Sequence, residues 1–156
     1  MKWHPLAGKD WARAIGVGIA VSVLTAAFMA VTMKMGVSPL PKPLGLAFAE
    51  TVLRRALPLP IGLLFHTVWV TAFSVAYVGF FRDKLTIVRA AWLAAGLWIV
   101  VLVLFFPIVG WGFFGLSVSP KLIVGSAVPH ALFALLLWGL CRWAFRQTQP
   151  ALSRSA

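Results

Sequence analysis

Residues 14–33 read AIGVGIAVSVLTAAFMAVTM, twenty consecutive positions without Asp, Glu, Lys or Arg. A hydrocarbon core about 30 Å thick takes about 20 helical residues to cross, so this stretch has the length of one membrane span. Three further stretches lack those four residue types: Ala56 to Phe81, Ala90 to Pro120 and Leu122 to Cys141. Working outward from the first, Lys2, Lys9 and Arg13 precede it like a basic leader region. The apolar run is longer than a leader's, however, and Met33-Lys34-Met35 follows it in place of a small-residue cleavage site. It is read as a retained helix.

The third stretch is too long for one span. Its second half carries Pro107, Gly110, Gly112, Gly115 and Pro120, so the pattern predicts a helix over 90–106 followed by a glycine-rich loop at headgroup level. The expected fold is all-α: one transmembrane domain over 1–156, with helices about 11–34, 57–81, 90–106 and 121–145.

Composition agrees. Hydrophobic residues make up 62% of the 156 and charged residues 11%, against about 45–50% and about 25% in ordinary soluble domains. The formal charge of +11 comes from basic residues scattered at the ends of apolar runs, and none forms a stripe. That pattern speaks against a nucleic-acid partner and for anionic lipid headgroups. Nine basic residues (Lys2, Lys9, Arg13, Arg82, Lys84, Arg89, Arg142, Arg146 and Arg154) fall on one side of the four spans, and five fall on the other. Basic residues accumulate on the cytoplasmic side, so both ends are expected in the cytoplasm of a bacterial inner membrane.

Four of the five outer basic residues belong to the first loop. There Pro39, Pro41 and Pro43 stiffen the chain, and residues 44–57 predict a short interfacial helix with Glu50 and Arg54 at i, i+4. Arg54 and Arg55 are expected to face lipid phosphates. The single cysteine, Cys141, is read as a small buried hydrophobe.

The chain also echoes itself. A shift of 64 residues sets His66 over His130, Trp69 over Phe133, Phe81 over Phe145 and Arg82 over Arg146. Two tandem helix-pair repeats about an axis along the membrane normal would produce this match. His66 lies roughly 16 Å of helix from Arg55, and His130 lies roughly 13 Å from Lys121, so both histidines are expected deep in the bilayer.

Three uses are open to such an intramembrane pair. The imidazoles can hydrogen-bond neighbouring helices as packing groups, relay protons or line a solute path, or ligate a b-type haem. Gly18, Ser22, Ala26 and Ala30 recur at four-residue spacing and predict a close helix–helix contact, within the chain, in a homo-oligomer or with another membrane protein. Met29, Met33 and Met35 are soft ligands of the Cu(I) type but at this density are read as core filler.

The acidic residues are Asp10, Glu50 and Asp83, all outside the spans and far apart in sequence, and no phosphate-binding loop is present. The chain is expected to be non-enzymatic, with no cofactor, haem b being the alternative.

The order of features resembles the YagU-like family of bacterial inner-membrane proteins. The resemblance is carried by the small-residue helix Gly16 to Ala30, Pro39-Leu40-Pro41, Phe65-His66-Thr67-Val68 and Ala76-Tyr77-Val78-Gly79. It continues through Ala90 to Gly96, Phe106-Pro107, Pro129-His130-Ala131-Leu132 and Trp138 to Arg142. It implies an inner-membrane location, a helical bundle and an association with acid or stress tolerance. The first loop is shorter than the resemblance leads one to expect.

Overall fold

A computed structural model describes residues 5–146, and all regular structure in it is helical. Lys2 and Arg154, counted above for orientation, lie outside the described residues. Four helices are long and apolar enough to cross a membrane: α1 (Gly8–Lys34), α3 (Leu59–Phe81, prolonged by a 3-10 turn to Lys84), α4 (Ile87–Ile108) and α5 (Lys121–Ala144). The short α2 (Leu44–Leu53) lies between α1 and α3.

The helix ends depart from the sequence reading for local reasons. α4 starts at Ile87, ahead of Ala90, because the Thr86 hydroxyl accepts the Arg89 amide and caps it. It also runs past Phe106 to Ile108, through Pro107. A proline inside an α-helix clashes with the carbonyl four residues back. Here Val101–Phe105 widen into a π-helical segment just ahead of it, which re-spaces the carbonyls.

α2 ends at Leu53 and does not reach 57, because Arg54 turns left-handed (φ 51°, ψ 38°). Both Arg54 and Arg55 then donate their amides to the Glu50 carbonyl. The expected Glu50–Arg54 pair gives way to Lys42 Nζ at 2.7 Å from Glu50 Oε2, with the Leu57 amide donating to Oε1 at 3.2 Å. The expected short helix of the first loop is present and is also packed. It crosses α3 at two glycines, where a Cβ on Gly45 would stand 2.7 Å from the Gly62 carbonyl and one on Gly62 would stand 2.6 Å from Leu46 Cβ.

The long helices form a bundle. α1 packs along both α3 and α5, and α4 packs along α5, while α3 and α4 keep their backbones apart and meet through side chains, Trp69 on Phe105 at a ring separation of 5.5 Å and Arg89 over the Phe81 ring. A twofold repeat would make the α3–α4 contact match the α1–α5 contact. The order of elements is therefore repeated, but the packing is not. α4 is the least covered, with 17% of its apolar stretch buried in the chain against 33% for α1.

Two apolar clusters hold the bundle. One, toward the start of α1, includes Ala14, Val21, Tyr77, Leu137 and Phe145. The other, at the α2 end, joins Leu40, Leu102, Phe106, Trp111 and Leu122. Gly110, Gly112 and Gly115 all take positive φ in the α4–α5 loop, folding Trp111 back onto Phe106 at a ring separation of 5.3 Å.

Candidate functional site

The seam between α1 and α3 is polar. It begins at Gly18, where the backbones approach so closely that a Cβ would stand 2.7 Å from Thr71 Cα. One turn on, the Ser22 and Thr67 hydroxyls lie 2.8 Å apart, and a further turn on Thr25 Oγ1 lies 3.2 Å from His66 Nε2. Ser22 and Thr25 are buried. The expected stripe thus divides. Gly18 and Ser22 face α3 inside the chain, Ala26 is half-buried and Ala30 is exposed. The contact line runs 18, 22, 25 because 3.6 residues per turn carry a strict four-residue spacing gradually off one face. Thr71 Oγ1 is buried in the seam with no hydrogen-bond partner among the described residues.

The Thr25 hydroxyl also lies 2.8 Å from the Val21 carbonyl and 3.1 Å from the Ser22 carbonyl, so it ties His66 to the backbone of α1. His130 Nδ1 lies 2.7 Å from the Ser126 carbonyl, which accepts only, so the proton of neutral His130 is on Nδ1. The two half-buried imidazoles have separate partners, and among the described residues no hydrogen bond joins them.

Their depths are similar. His66 stands seven residues into α3 and His130 nine into α5, roughly 11 and 14 Å along the axes from the α2 end.

His130 borders a shallow open groove between α4 and α5. Six alanines and Trp98 complete its lining, and no α3 residue takes part. The space beside His130 is therefore not a slot shared with His66. Trp98 ties the two helices together there, its Nε1–H reaching the Ile123 carbonyl at 3.2 Å and Ser126 Oγ at 3.1 Å. Pro129 leaves the Gly125 carbonyl without its helical donor, and loop one passes directly over that glycine, where a Cβ would stand 2.7 Å from Pro39 Cδ.

At the opposite end of the bundle, Asp10 is buried and paired with Arg82, Nη2 to Oδ2 2.6 Å, with Arg13 at 3.8 Å. Sequence reasoning placed Asp10 outside the spans and missed this clamp. Its position in the first turn of a helix, three residues before Arg13, was the available signal. Thr25, Thr67 and Trp98 were missed too, and only the three-dimensional register reveals them. Arg54 and Arg55 are exposed at the α2 end. Met29 packs on the α2-end cluster, whereas Met35 is exposed.

No protein-family model matches this chain, and neither does any curated protein or solved structure.

Proposed function

We propose that this chain is a non-enzymatic accessory protein of a bacterial inner membrane, with both ends cytoplasmic, and that its resemblance to the YagU-like family ties it to acid or stress tolerance. One observation carries the reading: three polar contacts within the spans join one helix to another. Ser22 meets Thr67, Thr25 meets His66 and Trp98 meets Ser126, each across a helix–helix contact. Polar side chains used in this way act as packing glue. α4, the least covered of the four spans, is the one with most surface free to meet lipid or a membrane partner. Arg54 and Arg55 face the headgroups at the α2 end.

Proteoliposomes carrying an internal pH dye test this reading against transport. Vesicles with the purified chain are expected to dissipate a proton gradient no faster than protein-free vesicles. A flux abolished by His66→Gln would replace the accessory reading with a proton pathway. A Soret band in the purified protein, lost in His130→Ala, would replace it with haem-based electron transfer.

A further inference from the structure

We propose that the open groove between α4 and α5 seats one acyl chain of an anionic phospholipid, whose phosphate pairs with Arg142 at the groove's mouth. The inference rests on the chain spanning a bilayer and is independent of the accessory role. Six alanines wall the groove, Ala91, Ala94 and Ala95 from α4 and Ala127, Ala131 and Ala134 from α5. Ala94 and Ala134 are buried and make its floor, while Ala91 and Ala131 are exposed at its edges. Inside a bilayer an unfilled furrow forfeits dispersion contacts, and a single flexible chain lying along it restores them.

The groove has a closed end and an open one. At the level of Ala127 the Trp98 indole bridges to α5, where its Nε1–H meets the Ile123 carbonyl and Ser126 Oγ. Toward the other end the α5 wall continues, and Arg142 follows Ala131 by eleven residues, about three turns, so the two share a side of the helix. Both are exposed. Ala127 and Arg142 are fifteen residues apart, roughly 22 Å of helix. One leaflet with its headgroups is about 20–22 Å deep, half of the full bilayer. A lipid with its phosphate at Arg142 therefore brings the end of its chain to Trp98.

Charge selects the headgroup. The Arg142 guanidinium lies over the Trp138 ring at 5.8 Å, which holds it against α5. Among the described residues it has no acidic partner, unlike Arg13 and Arg82, which share Asp10. An arginine presents a fork of donors that matches phosphate oxygens. A headgroup with net negative charge supplies the counter-charge, whereas a zwitterionic one brings a cation of its own. A second copy is disfavoured by the same residue. Two grooves paired about an axis along the membrane normal would set two Arg142 side chains at one depth, like charge beside like.

The full-length chain is reconstituted in phosphatidylcholine nanodiscs, and its co-elution with them checks the membrane reading separately. Trace phosphatidylglycerol or phosphatidylcholine with a diazirine near the end of one acyl chain is photolysed, and labelled residues are mapped by mass spectrometry. The phosphatidylglycerol probe is expected to label residues 94–98 and 127–131 about fivefold more than the phosphatidylcholine probe, as one basic side chain near an anionic lipid allows. In Arg142→Gln that preference should vanish, while in Arg55→Gln, at the α2 end, it should persist. Ala131→Leu fills the furrow from an exposed position, so labelling there by both probes should fall to the level of the other lipid-facing residues. Equal labelling by the two probes, a preference that survives Arg142→Gln or is lost in Arg55→Gln, or labelling indifferent to Ala131→Leu would each overturn the proposal. So would groove residues cross-linked to a second copy in place of lipid.

Discussion

Asp10 Oδ2 and Arg82 Nη2 meet at 2.6 Å, joining the first turn of α1 to the last turn of the antiparallel α3. The Asp10 side chain is 8% exposed and that of Arg82 23%, so the pair falls between a surface bridge and a fully buried one. Surface pairs contribute about 0–1 kcal/mol, whereas breaking a buried pair costs about 3–5 kcal/mol. Asp10→Asn is expected to destabilise the chain by roughly 2 kcal/mol, read as a lower melting temperature in detergent. The double variant Asp10→Asn/Arg82→Gln should lose less than the sum of the single losses. Strict additivity would remove the clamp.

The α1–α3 seam separates residues that share one sequence pattern. Gly18→Leu and Ser22→Leu place bulk where α3 lies in contact, and overpacking of this kind costs about 1–3 kcal/mol. Ala30→Leu, on an exposed position, is expected to melt like the parent. A fall in stability at Ala30 equal to that at Gly18 would place α3 on the wrong face of α1.

Thr71 allows the opposite sign. Its hydroxyl is buried without a partner, and an unsatisfied buried polar group costs about 1–3 kcal/mol. Thr71→Val keeps the shape and removes the group. It should raise the melting temperature, and destabilisation would reveal a partner for that oxygen.

Glu50 gives a pH dependence confined to the α2 end. The Lys42 hydrogen bond, with the Leu57 amide adding to it, holds its carboxyl below the usual value. A lowered carboxylate pKa contributes stability that is present above the ordinary carboxylate range and lost as pH falls through the lowered value. Protection of the Leu57 amide from hydrogen exchange, measured against an unstructured peptide at the same pH, should therefore hold at neutral pH and be lost only in strong acid. In Glu50→Ala, which removes the acceptor, it should be lost throughout.

Orientation is testable by fusion. A reporter active only in the cytoplasm should work when fused after Ala156, and one active only in the periplasm should work when inserted near Lys42. The reverse result would invert the chain, and a shared side for both would contradict an even number of crossings.

The sequence displayed the spans because lipid imposes a length and a composition on any helix that crosses it. What it concealed depends on register. Residues 90–106 gave no sign of the π-helical turn at Val101–Phe105, since a π-bulge changes spacing without changing hydropathy. Arg54 carried no glycine to announce its left-handed turn. His66 and His130 were visible as rare polar residues in apolar helices. That one is tied to α1 and the other to a carbonyl of its own helix follows only from the positions of Thr25 and Ser126.

The order in which the helices pack also bears on biogenesis. As the chain leaves the ribosome, α1 meets its main partner as soon as α3 is inserted, so the first hairpin can assemble at once. α4 follows with only its side-chain contacts to α2 and α3 available, Phe48 and Trp69 on Phe105 and Arg89 over Phe81, because its main partner α5 has not yet been made. Synthesis of the last helix supplies the remaining backbone contact of α4.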